Sequence, residues 1–270
     1  MFHTLFNVST VIILVAFIPQ LATLVRKILP VRPDENENIK RLLFLDQSVM
    51  QMPPIAVTQA QRELDRMGKM ALKNLQDALD SFYTGDAIKA EAVLEAEETI
   101  NFLNHQITAW LIRLRGLDIS GADIEKLGMM LHTVSDIERI GDHAENIAEY
   151  ALMGGSSALK ISPDAMAELK ELGDFTIEAV TLALKIFGTR DESLLDGVEP
   201  LEEKIDNLAD ECVENHIRRL KEEVCDPRGG VIYTDMVTDL ERCADHATNI
   251  AYSILGETVW DAARHELRRL

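Results

Sequence analysis

The feature that most restricts the fold of this chain is an internal duplication. The stretch "DIERIGDHAENIAEY" at residues 136–150 returns as "DLERCADHATNIAYS" at residues 239–253, and both copies share the skeleton D-x-E-R-x-x-D-H-A-x-N-I-A. Upstream, the segment that begins at Arg62 resembles the segment that begins at Ala167, 105 residues later. Self-similarity at a nearly fixed spacing indicates a tandem pair of like units. We therefore expect two copies of one supersecondary structure.

Each repeat contains three helix-length segments, at about 55–83, 86–115 and 121–153, and at about 163–188, 191–223 and 228–255. Apolar residues such as Leu64, Met67 and Leu75 recur at spacings of three and four, as on one face of a helix. Short stretches rich in Gly and Pro separate the segments, and short connections make neighbouring helices antiparallel. The predicted fold is all-α, with two tandem antiparallel three-helix bundles at 55–153 and 163–256 and a polar tail at 257–270.

The first residues differ from the rest. Residues 5–25 carry no charge, which is long enough for a helix to cross a ~30 Å hydrocarbon core. We predict a transmembrane helix at 1–29, whose polar residues and proline favour contact with other membrane helices. A signal peptide and a buried helix of a soluble protein are the alternatives. Basic residues from Arg26 to Arg41 predict that the downstream chain lies in the cytoplasm, at the inner membrane, after a linker at 30–54.

Composition limits the function. The formal net charge is −19, which disfavours nucleic acid as a partner and favours cations. The three cysteines form no C-x-x-C pair, so a thiolate zinc site is not indicated. No nucleotide-binding or hydrolase motif is present, and no Glu stands three residues before a histidine as in di-iron bundles. We therefore expect a protein that is not an enzyme.

The duplicated motif predicts a metal site in each repeat. Positions i, i+4 and i+8 lie along one face of a helix, and the second segment of each repeat supplies an opposing acidic row. Oxygen ligands suit Mg²⁺, Mn²⁺ or iron, as divalent or trivalent ions. A structural polar seam is the alternative, because a chain with 46 acidic residues forms such pairs by chance. The candidate ligands are Glu97, Asn101, Glu138 and Asp142 in repeat one, and Glu202, Asp206, Glu241 and Asp245 in repeat two.

The other motif residues have two interpretations each. The histidines are either peripheral ligands or hydrogen-bond partners of an adjoining helix. The arginines either form surface ion pairs or contact phosphate. The asparagines either support the carboxylates from outside the ligand shell or take part in packing. These residues are Arg139, His143 and Asn146 in the first motif, and Arg242, His246 and Asn249 in the second.

Both motifs resemble the repeated signature of PhoU proteins, which regulate bacterial phosphate uptake, and "EETINFLNHQI" and "EEKIDNLADEC" resemble the partner helices. The N-terminal stretches "FHTLFNVSTVIILVAFIPQLATLVRKILP" and "LFLDQSVMQMPPIAVTQAQRELDRMGKMA" resemble the last membrane helix and first cytosolic helix of Na⁺/phosphate cotransporter family proteins that carry a PhoU-like domain. The resemblance implies multinuclear metal clusters on the eight candidate residues. Asn101 stands where an Asp is common, which weakens the first site.

The resemblance predicts a metal-binding regulatory domain, with the last membrane helix, of a sodium-dependent phosphate cotransporter. Its expected partners are the membrane and a transport core or other membrane subunit, with a homo-oligomer left open. The chain lacks the transporter family's membrane repeats, so we expect it to act with a separate core or as a piece of a longer protein. The alternatives are a membrane-tethered signalling adaptor that binds a separate transporter or sensor kinase, and a metal-dependent enzyme acting on phosphate esters.

Overall fold

The computed structural model describes Phe6 and residues 40–255, and the structured part of residues 40–255 is helical, without a strand. The predicted transmembrane helix at 1–29 (apart from Phe6), the first part of the linker and the tail at 257–270 lie outside the described residues. Among the helices that are described, none is both long and apolar enough to span a bilayer. The six long helices are α1 (Pro53–Thr84), α2 (Ala87–Arg115), α3 (Gly121–Leu152), α4 (Pro163–Thr189), α5 (Val198–Lys221) and α6 (Pro227–Tyr252).

Local sequence sets most helix ends. The side chains of Asp86, Ser120, Ser162 and Asp226 accept hydrogen bonds from backbone N–H groups in the first turns of α2, α3, α4 and α6. Helix α1 ends at Gly85, which has φ +72°, a left-handed conformation that glycine adopts without a steric penalty. A one-turn helix, Gly155–Ala158, joins the two bundles. These signals explain why the observed helices overlap the predicted segments.

One helix begins later than the sequence pattern predicts. The segment expected from residue 191 begins as a 3₁₀ helix, Glu192–Gly197, and α5 follows at Val198. The Asp191 side chain accepts from the backbone N–H of Ser193 and stabilises the tighter turn. Pro200, which has no N–H, then occupies the first turn of α5, where that donor is not needed.

The two bundles share one apolar core, in which α3 packs against α6 and α1 packs against α4. The α1–α4 contact depends on glycine. A Cβ atom at Gly68 would lie 2.6 Å from Cδ2 of Leu184, and one at Gly173 would lie 2.9 Å from the hydroxyl of Tyr83. Gly68 and Gly173 occupy the same position in the two repeats, so the duplicated glycine is the residue that lets the repeats approach.

Part of the predicted linker is packed on the first bundle. Leu42, Leu45, Val49 and Met50 lie against the core, and Gln47–Gln51 forms a 3₁₀ helix. We call residues 40–46 the strap. The described structure therefore begins to pack before the predicted boundary at residue 55, because these apolar side chains cover α1.

Candidate functional site

The two motif helices, α3 and α6, run antiparallel and exchange the same contacts. Nδ1 of His143 lies 2.8 Å from Oδ1 of Asp239, and Nδ1 of His246 lies 2.9 Å from Oδ1 of Asp136. The two imidazole rings are stacked at a tilt, with centroids 5.8 Å apart. The reciprocal contacts make an approximate two-fold relation between the repeats, so the histidines join adjoining helices.

The motif asparagines take part in the same joint. Asn146 donates to Oδ1 of Asp239 at 3.1 Å, and Asn249 donates to Oδ1 of Asp136 at 3.4 Å. Tyr150 adds a third hydrogen bond, to Oδ2 of Asp239 at 3.2 Å. Both asparagines bind the first Asp of the opposite motif, because that Asp faces them across the helix pair. In the described structure they therefore take part in the packing of the two motif helices.

The remaining acidic positions of each motif face the second helix of the same bundle. In repeat one, Glu97 of α2 is 1% exposed, and neither of its carboxylate oxygens has a hydrogen-bond partner. Burial, and to a smaller extent the nearby charges of Asp142, Glu145 and Glu138, raise the pKa of Glu97 to about 9. Burial and Asp142 also raise the pKa of Glu138. We call Glu97, Glu138 and Asp142 the first acidic seam.

Repeat two repeats the arrangement at a shallower depth. Burial raises the pKa of Glu202 on α5 to about 7, with contributions from the charges of Asp206 and Asp245. The pKa of Asp206 is raised by burial and by Asp245, and the pKa of Glu241 is raised by burial and by Asp245. These four residues are the second acidic seam. Because carboxylates on α5 and α6 raise one another's pKa, these two helices bring their acidic side chains near each other, as α2 and α3 do in repeat one.

A single glycine explains why the first seam is deeper. A Cβ atom at Gly141 of α3 would lie 2.3 Å from Oε2 of Glu97, so the absence of a side chain makes room for the carboxyl group. The equivalent position in repeat two is Ala244. Ala244 carries a methyl group where Gly141 has none, and Glu202 is half-buried rather than buried.

The motif arginines are exposed and form surface ion pairs with the candidate ligands. Nη1 of Arg139 lies 3.4 Å from Oδ2 of Asp142, and Nη1 of Arg242 lies 3.0 Å from Oδ2 of Asp245. An exposed pair of this kind contributes only about 0–1 kcal/mol. The arginines therefore partly neutralise the seams without closing them to a cation.

The seam residues do not already form a coordination shell. Within residues 40–255, no three His, Cys, Asp or Glu side chains converge in an arrangement that would hold a metal ion. Asn101 is half-buried on α2, one turn after Glu97. The sequence pattern missed Glu145, Glu199 and Asp210, which act electrostatically on the seams. Glu145 stands seven residues after Glu138 and three after Asp142, so the helical period contained the signal.

The residues present nevertheless fit a hard cation. A buried carboxyl group without a partner, opposed by further carboxylates, is costly in its charged form unless a cation joins it. Mg²⁺, Mn²⁺ and iron take such oxygen ligands. Glu97, Glu138 and Asp142 would hold an ion in the first seam, with Asn101 offering a neutral oxygen. Glu202, Asp206, Glu241 and Asp245 would hold one in the second.

The fold and the seams define a class: all-α proteins with two like three-helix bundles, joined through their third helices, each with an acidic seam. The family model described as "PhoU domain" matches residues 64–151 and 169–254, which is more than half of the chain. The chain belongs to the PhoU domain family.

Among the known proteins that are similar to it are the following three. The "Phosphate-specific transport system accessory protein PhoU homolog" of Xylella fastidiosa (strain Temecula1) is 29% identical over 195 residues, which cover 72% of this chain and 79% of that protein. The "Putative inorganic phosphate export protein YjbB" of Escherichia coli (strain K12) is 23% identical over 98% of this chain and 49% of that protein. The chain thus spans about half the length of that relative. The crystal structure of PhoU from Pseudomonas aeruginosa superimposes with a TM-score of 0.69 at 24% identity, covering 75% of this chain and 96% of that one, which shows the shared fold.

Proposed function

We propose that this chain is the metal-binding regulatory domain, with the last membrane helix, of a sodium-dependent phosphate cotransporter. It regulates phosphate movement and is not itself an enzyme. The proposal places the chain at the inner membrane, with its helical bundles in the cytoplasm. Its partners are the membrane and a transport core or other membrane subunit.

The proposal that this chain binds metal depends on the surroundings of the Glu97 carboxyl group. This carboxyl group is buried, without a hydrogen-bond partner and opposed by other acids, which is unfavourable unless it is protonated or joined by a cation. A bound Mg²⁺, Mn²⁺ or iron ion would supply positive charge between α2 and α3, and between α5 and α6.

The transport part is supported by the extent of the similarity to a phosphate export protein. The alignment with YjbB runs over 98% of this chain, including the N-terminal region that precedes the bundles. That region has an uncharged run at residues 5–25. A regulatory domain joined to such a segment is suited to act on a membrane transport core.

The proposal is tested by phosphate flux. Cells that express the transport core with the full chain, or with a chain that lacks residues 55–270, are loaded with radiolabelled phosphate, and both uptake and release are measured. We expect the deletion to change the flux and its response to phosphate supply. Unchanged flux in both directions would contradict the proposal. Metal binding is tested separately, by measuring the metal content of the wild-type chain and of Glu241→Ala/Asp245→Ala by elemental analysis. The double variant is expected to lose the metal of the second seam.

A second candidate is a membrane-tethered signalling adaptor that binds a separate transporter or a sensor kinase. The similarity to an accessory protein of a phosphate-specific transport system, over 72% of this chain, favours it. Cross-linking of the full chain in membranes, followed by identification of the captured subunit, separates the two. A transport core supports the first proposal, and a sensor kinase supports the second.

A further inference from the structure

The strap is fastened to α1 by a buried carboxylate. Oε2 of Glu63 accepts hydrogen bonds from the backbone N–H groups of Leu43 at 3.0 Å and Phe44 at 2.7 Å. Glu63 is fully buried and also pairs with Arg66, whose guanidinium donates to the carbonyl of Arg41 at 3.0 Å. Charge-assisted bonds at a buried site are among the stronger polar contacts in proteins. The strap therefore has a fixed position on the first bundle.

The far end of the strap lies beside the first acidic seam. The ammonium group of Lys40 forms an ion pair with Glu98 on α2, the residue that follows Glu97. The charge of Glu98 acts on Glu145, and the charge of Glu145 acts in turn on Glu97. Lys40 thus neutralises a carboxylate at the rim of the seam.

Within residues 40–255, no segment is fastened to repeat two in this way. Glu168, the counterpart of Glu63, is held instead by Arg219, Asn215 and Tyr233, which belong to its own bundle. Glu203, the counterpart of Glu98, makes no ion pair with any residue in the described part of the chain. The duplication therefore supplies an internal comparison, in which the same fold carries an acidic seam whose counterpart of Glu98 has no ion pair within residues 40–255.

We propose that Lys40 is a built-in counter-cation that weakens metal binding in the first seam, and that occupancy of this seam in turn loosens the strap. This inference rests on the proposed metal binding. A divalent ion in the seam and the Lys40 ammonium repel each other, so each weakens the other's attachment. Because coupling between two binding equilibria is reciprocal, the metal loosens the strap by the factor by which the strap weakens the metal.

The expected size is modest, since Lys40 and Glu98 are both exposed to solvent. In surroundings close to water, a unit charge changes the affinity of a nearby divalent ion by about two- to five-fold. Salt reduces this effect, because the Debye length is about 10 Å at 0.1 M ionic strength. The test is therefore run at low ionic strength and repeated at high salt.

Affinity for Mn²⁺ is measured by titration of the full chain in the Glu241→Ala/Asp245→Ala background, which leaves the first seam. We expect Lys40→Ala to tighten Mn²⁺ binding by about two- to five-fold at low salt, with a smaller effect at high salt. Lys73 forms an ion pair with Asp77 on α1 and is itself exposed, so Lys73→Ala is the control and should leave the affinity unchanged.

Hydrogen exchange at the amides of Leu43 and Phe44 gives an independent readout. We expect Mn²⁺ to raise their exchange rates by the same factor in the wild-type chain, and to have no effect in Glu97→Gln. If Mn²⁺ binds but neither Lys40→Ala nor hydrogen exchange shows a change, the coupling is overturned while the proposed metal binding stands. If neither seam binds Mn²⁺, both are overturned.

Discussion

His143 and Asp239 lie 96 residues apart in the chain, and their side chains meet at 2.8 Å. His246 and Asp136 make the same contact at 2.9 Å in the opposite direction. The duplicated motif therefore has two tasks on two faces of one helix. Its first Asp, its His and its Asn join the repeats, and its Glu and second Asp form the acidic seams.

Removal of Asp239 should weaken the joint more than removal of Asp136. Asp239 accepts from His143, Asn146 and Tyr150, so Asp239→Ala leaves three half-buried donors without this partner. We expect the free energy of unfolding to fall by about 2–4 kcal/mol, and by less for Asp136→Ala. Urea denaturation measures both.

The control for this comparison is Asp118→Ala, a change in an exposed loop that should alter stability by less than about 0.5 kcal/mol. Equal losses for Asp136→Ala and Asp239→Ala would show that Tyr150 adds nothing to the joint.

Glu97 should make the metal-free protein less stable as the pH rises. Its pKa is raised from 4.5 to about 9 in the folded state, so between these values the folded protein binds a proton that the unfolded chain has lost. Stability from this group is fully present below about pH 4.5 and is lost as the pH rises toward 9. Between pH 5 and pH 7, urea denaturation should show a decline about 2–3 kcal/mol larger in the wild type than in Glu97→Gln. Glu125→Gln, on the exposed face of α3, should decline like the wild type.

Gly141→Ala should disturb the first seam alone. The added methyl group would lie 2.3 Å from Oε2 of Glu97 and 3.2 Å from Cγ2 of Ile100. We expect a loss of about 1–2 kcal/mol, since overlap in a packed site outweighs the better helix propensity of Ala. Gly188→Ala is the matched control, because nothing lies within 4 Å of its added Cβ, and it should stabilise the chain slightly. Glu97→Ala should restore most of the stability lost in Gly141→Ala, and thermal unfolding of the double variant tests this.

The two seams should bind metal with different pH dependence. A metal ion must displace the proton of a protonated ligand, so its affinity rises about tenfold per pH unit below the pKa of that group. The pKa of Glu97 is about 9 and that of Glu202 is about 7. In Mn²⁺ titrations from pH 6 to pH 9, affinity for the second seam should level off near pH 7, while that for the first continues to rise. Parallel curves for Glu97→Ala and Glu202→Ala would contradict this assignment.

Much of the fold could be predicted because its signals are local. The 3.6-residue period, the capping residues and the duplicated spacing act within one or two helical turns, and they predict six helices in two like bundles. The exception at Val198 follows from Asp191 and Pro200, whose effects compete with the apolar pattern. The sequence also predicts that the acidic rows containing Glu97 and Glu202 face the motif helices, because a short loop makes neighbouring helices antiparallel.

The sequence by itself determined which residues share a helix face, and so which carboxylates could meet within a bundle. The tertiary structure decided which residues meet between bundles: Asp136 with His246, Asp239 with His143, and the strap with Glu63. It also decided the depth of each seam, since Gly141 makes room for Glu97 only once α2 and α3 are packed. The physical reason is that the helical period fixes only the direction in which each side chain points around the axis of its own helix. The distance and facing of two axes depend on the packing of side chains far apart in the chain.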